Sequence, residues 1–156
     1  MYRRSVKLMV TSMMAAAAMF GADNSVGTWQ RNVEKTTYQS ANPKPITSLI
    51  MVREAVPNGL KVTSIGHRQD GSGINYTFTA KYDGKEYPVT GTGSVFDTIA
   101  LTLLDANTSK SETRKGKYHM TGLTVISNGG KTMTISNKGA DADGKQTSFT
   151  VVWNKQ

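Results

Sequence analysis

Alternation with a period of two governs this chain from about residue 23 onward, and it leaves few folds open. Across residues 74–82, Ile74, Tyr76, Phe78, Ala80 and Tyr82 share one parity, while Asn75, Thr77, Thr79 and Lys81 take the other. Successive side chains of a strand point to opposite faces, so this is a strand with one buried face. Residues 98–103, 132–136 and 148–153 repeat the pattern, and the abundant threonine suits strands through its β-branch. Between the runs stand Asn58-Gly59, Asp70-Gly71, Asp83-Gly84, Asn128-Gly129 and Asp143-Gly144. Such pairs adopt positive φ cheaply, which tight hairpin turns require. The pattern predicts ten strands, near 27–33, 45–54, 59–68, 73–82, 85–90, 97–104, 108–115, 117–127, 131–138 and 146–155, with 34–45 irregular. A hairpin meander of this length hides its edges best by closing on itself. The expected fold is all-β, an antiparallel up-and-down barrel of about 8–10 strands; a two-sheet sandwich is the competing solution.

The first 22 residues follow a different rule. Residues 1–7 hold Arg3, Arg4 and Lys7 and no acid, and residues 8–20 form a mostly apolar run. A basic start, about thirteen apolar residues and small residues after them describe a cleavable secretory signal. A bilayer-spanning helix needs roughly 20 apolar residues, so no permanent membrane anchor is expected. Small residues at 15–18 and at Gly21-Ala22 put cleavage between Ala18 and Ala22. The expected division is a signal peptide at 1–22 and one β-domain at 23–156, placed in the periplasm or outside the cell.

Cysteine is absent, which closes both lipoprotein acylation and disulfide cross-linking. The domain must hold together by its core alone, and about 135 residues are enough for that. The net charge of +8 overstates its basicity: without Arg3, Arg4 and Lys7, 16 basic residues face 11 acidic ones. That balance aids solubility and does not describe a nucleic-acid binder, which needs a continuous basic face with stacking platforms. A monomer is expected.

Gly27-Thr-Trp29 opens the first predicted strand and resembles the opening motif of the calycin group, the lipocalins, fatty-acid-binding proteins and avidins. The resemblance implies that Trp29 closes one end of a barrel. Residues 82–91, 105–108, 130–134 and 139–145 are similar to a group of small secreted bacterial proteins without assigned activity. It implies a lipocalin-like barrel exported by a bacterium, and no chemistry. The sequence departs from fatty-acid-binding proteins in two ways: residues 34–45 are too few for a helical lid, and residues 149–153 lack the carboxylate-binding Arg-x-Tyr.

Local motifs supply no catalytic site, metal or cofactor. His67 and His119 stand alone, without the three or four ligands a metal needs, and read as surface residues. Asp141-Ala-Asp143-Gly144 has the letters of half a calcium loop, but Val152 occupies the twelfth position, where an acid belongs. Gly91-Thr-Gly93-Ser94 leads into a strand instead of opening a helix, so it reads as a turn. No carboxylate pair, Asp97 with Asp105 for instance, is preferred for acid–base work. The basic run at 110–117 with Tyr118 beside it reads as a solvated hairpin tip. The aromatics are more informative: Tyr76, Phe78 and Tyr82 share one face, and aimed inward they line either a small-molecule cavity or a filled barrel. The leading expectation is therefore a non-catalytic carrier of a small, largely apolar molecule, contacted by Tyr76, Phe78 and Tyr82. The rivals are a cell-envelope interaction module with a solid interior, docking through Lys115 and Lys117, and an enzyme.

Overall fold

The computed structural model describes residues 22–40 and 44–156; the proposed signal peptide, Ala22 excepted, lies outside them. Every described element is a strand: β1 (Gly27–Tyr38), β2 (Ile46–Val56), β3 (Gly59–Arg68), β4 (Gly73–Lys81), β5 (Glu86–Pro88), β6 (Thr90–Thr92), β7 (Thr98–Asp105), β8 (Thr108–Lys115), β9 (Tyr118–Ser127), β10 (Thr132–Ala140) and β11 (Gln146–Lys155). They form one antiparallel sheet in the order β5-β7-β8-β9-β10-β11-β1-β2-β3-β4-β6. The sheet curls until β4 packs against β5 and β7, a nearly closed barrel. A single continuous sheet excludes the two-sheet sandwich.

Turn chemistry sets the hairpins. Asn58 joins β2 to β3 at φ 59°, and Asn128, Gly129 and Gly130 take 54°, 63° and 85° in succession between β9 and β10. The ladders then keep the register that the alternation demands: Val62 opposite Phe78, Ser64 opposite Tyr76, Met133 opposite Trp153. A one-residue slip would turn every inward side chain out, so burial of the inner face fixes these pairings.

Two segments differ from the sequence expectation, each for a physical reason. Glu34 begins no loop; β1 runs on to Tyr38, past a register shift against β11 between Asn32 and Thr37. Asn32 organises this bulge, its Oδ1 accepting from the Lys35 amide (3.0 Å) and its carbonyl from the Thr36 hydroxyl (2.9 Å). Extra residues break the period of two, so the strand was illegible beyond them. The single strand expected at 85–90 is two, because the chain changes neighbour at Val89: β5 pairs with β7 and β6 with β4. That division raises the strand count to eleven and forms the seam.

The core lies toward one end of the barrel, where Trp29, Leu60, Ala80 and Met133 are wholly buried.

Candidate functional site

Above that core the inward side chains do not meet, and a cavity of about 860 Å³ remains. Its wall is largely apolar, with Leu49, Val62, Ile74, Phe78, Leu101 and Val151 facing it. Polar groups interrupt that wall: Arg31 on β1, Ser64 on β3, Tyr76 on β4, Tyr118 on β9 and Trp153 on β11. At the mouth Arg68 donates to the carbonyls of Lys44 (3.0 Å) and Gly93 (2.9 Å), tying the β1–β2 and β6–β7 connections together. Phe96 of the latter meets Tyr76 edge-on, 5.8 Å between centroids.

The other end is shut by a polar clasp. Trp29 Nε1 donates to the Ser25 carbonyl (2.9 Å), and Arg53 Nε donates to Ser25 Oγ (3.2 Å). Ser25 in turn donates from its hydroxyl (2.6 Å) and amide (2.9 Å) to Asp23 Oδ1, and the Tyr82 hydroxyl donates to Asp23 Oδ2. Burial pulls the Arg53 guanidinium pKa down, against the pull of Tyr82 and the Asp23 carboxylate. Burial, then the bond to Asp23, pushes the Tyr82 phenol well above its ordinary range. The Asn24 amide adds a bond to the Ala106 carbonyl (2.8 Å), and Lys155 Nζ lies 5.6 Å over the Trp29 ring.

The residues singled out by sequence therefore divide. Tyr76 and Phe78 line the cavity. Tyr82 shares their parity but lies past the end of β4, with its hydroxyl in the clasp, and Trp29 sits beneath it in the core. Tyr118 is buried against the cavity, while its neighbours Lys115 and Lys117 are exposed. His67 is exposed, and His119 Nε2 lies 3.4 Å from Glu112 Oε2 on the outer face, away from the cavity. Asp141 Oδ1 accepts from the amides of Asp143 and Lys145 (2.9 Å each), so the turn itself occupies that carboxylate. Phe149 and Trp153, which share a strand face in the sequence, also line the cavity. Arg31 and Ser64 were missed; Arg31 shares the parity of Trp29, a signal that points it inward.

The buried phenols give a test of the wall. Tyr118 is 8% exposed, and burial pushes its pKa up to about 12, with Thr113 pulling the other way. Burial raises Tyr76 too, partly offset by the Ser64 hydroxyl and Arg31. A folded pKa above the unfolded value of about 10 means the native state holds the proton more tightly. The stabilisation is complete below about pH 10 and is lost as the pH climbs toward 12. Urea midpoints measured through this range are expected to fall steeply for the wild type and less steeply for Tyr118→Phe.

No protein-family model and no curated protein matches the chain. Among solved structures, "EF1p2_mFAP2b bound to DFHBI" superposes with a TM-score of 0.50 at 12% identity, covering 85% of this chain and 94% of that one. The S-type phycobiliprotein lyase CPES from Guillardia theta gives 0.54 at 8% identity, over 85% and 89%. The likeness is one of fold. It agrees with the lipocalin-like barrel implied by the resemblance in the sequence.

Proposed function

We propose that this chain is an exported, non-catalytic carrier whose barrel holds a small, largely apolar molecule. The observation that carries the reading is the cavity: its 860 Å³ falls within the roughly 300–1,000 Å³ of small-molecule sites. Its make-up agrees, a largely apolar wall with a few polar groups set in it. Apolar burial at about 25 cal/mol per Å² supplies affinity, and the polar groups supply orientation. The neighbour that binds DFHBI supports the idea that a barrel of this fold accommodates a small molecule. Export rests on the basic and apolar pattern of residues 1–22, which points to the periplasm or the medium of a bacterium. The filled-barrel rival required side chains packed through the middle at interior density, and the open space weighs against it.

The test is a titration of the purified protein with N-phenyl-1-naphthylamine, which fluoresces when it leaves water. Saturable one-to-one binding is expected. Ile135→Trp sends a larger ring from a half-buried cavity position into the open space and is expected to abolish the signal while the far-ultraviolet circular dichroism stays unchanged. Unaltered binding by the folded variant would refute the interior site.

A further inference from the structure

The charge balance of the cavity says what kind of molecule fits it. Arg31 projects from the inner face of β1, its guanidinium 5.8 Å from the centre of the Trp153 ring. It donates to the Tyr38 hydroxyl (2.7 Å), a neutral partner. No carboxylate pairs with it among the described residues; the ion pairs there join Lys61 to Glu54 and link Arg114, Glu86, Glu112 and His119. Arg53, deeper in, differs because Asp23 lies near enough to act on it electrostatically. Burial pulls the Arg31 pKa down, and Tyr38 and Tyr76 resist that pull in place of an acid. Arg31 is half-buried, and a charge partly withdrawn from water favours an acidic partner.

The neighbouring groups lack the same thing. Trp153 is 3% exposed and lines the cavity, yet its Nε1 has no acceptor among the described residues. An indole N–H and a guanidinium only donate. Of the residues facing the cavity only Asp141 and Asp143 are acids, and both belong to the β10–β11 turn at the mouth. Asp141 already serves that turn. What these donors lack is therefore an acceptor bearing negative charge.

We infer that the occupant is a hydrophobic anion, an apolar molecule with one oxyanion group such as a carboxylate or sulfonate, seated on Arg31 beside Trp153. This deepens the carrier reading and rests on it. The anionic group meets these donors while the apolar body lies against the apolar side chains of the wall.

Two probes of nearly one shape isolate the charge: 5-dimethylaminonaphthalene-1-sulfonate and its neutral sulfonamide. The wild-type protein is expected to bind the sulfonate at least about tenfold more tightly, a difference of about 1.4 kcal/mol. Arg31→Gln, its far-ultraviolet circular dichroism unchanged, is expected to erase that preference, whereas Arg31→Lys, which keeps the charge, retains most of it. Equal or tighter binding of the sulfonamide by the wild type overturns the anion seat, with no variant needed. So does a preference that survives in folded Arg31→Gln. In both cases the carrier reading stands on the neutral naphthylamine. If that probe and both naphthalene derivatives fail to bind the wild type, the carrier reading falls as well.

Discussion

Trp29→Ala is expected to lower the free energy of unfolding by about 3–5 kcal/mol, the range for removing a large aromatic from a packed core. Trp29 is 0% exposed and joins two kinds of interaction that alanine cannot make. Its ring packs in the floor beneath the cavity, and its Nε1 satisfies the Ser25 carbonyl at 2.9 Å. Losing the ring leaves a hole in the tightest part of the barrel, and losing the donor orphans a buried carbonyl. The effect reaches further, because Ser25 also receives Arg53 and donates to Asp23. Against a total stability of about 5–15 kcal/mol, the change is large enough to read directly from urea denaturation at neutral pH. Trp29→Phe, which keeps most of the packing and loses the donor, is expected to cost about 1–2 kcal/mol. A cost below about 1 kcal/mol for the alanine variant would mean that the floor does not close this end.

Gly66→Ala is expected to destabilise by about 3 kcal/mol through backbone crowding alone. A Cβ at Gly66 would overlap the Ser48 carbonyl oxygen and press on Leu49 Cα at 2.8 Å. Both belong to the backbone of β2, so relief requires β2 and β3 to separate next to the register shift at Ile46–Ser48. Gly73 lies at the start of the adjoining strand, meets nothing within 4 Å and has no positive φ. Gly73→Ala is therefore expected to be neutral or to stabilise by up to about 1 kcal/mol through the unfolded chain. Thermal melts of the two variants check the contrast. Equal effects would show that glycine composition, and not the close approach of the strands, decides the outcome.

What could be read from the sequence was whatever depends on neighbours along the chain. Residues 59–68 and 108–115 are strands to the residue, because parity and the flanking turns are local properties. The same parity turned Tyr76 and Phe78 inward, since a continuous strand cannot face two ways. Parity fails where continuity fails. Tyr82 kept the phase of Phe78 but lies past the end of β4, and Asp23, 59 residues earlier, captures its hydroxyl. Tyr38 is brought beside Arg31 by the bulge after Asn32, an arrangement with no periodic trace. The division at Val89 is likewise a choice between neighbours far apart in sequence, β7 and β4. The emptiness of the middle belongs to no single segment. It follows from how many strands share the circumference and how far each inward side chain reaches.

The seam bears on how copies of this molecule meet in solution. A sheet that ends normally offers a row of unpaired amides and carbonyls to any passing strand. Here the terminal strands are Glu86–Pro88 and Thr90–Thr92, three residues each and consecutive in the chain. Proline brings no donor to such a margin, glutamate brings charge, and the short length leaves little to zip against. The two short strands cover Thr98–Ala100 of β7 and Asn75–Thr77 of β4, so the outermost margin of the seam offers a neighbouring copy only three-residue templates.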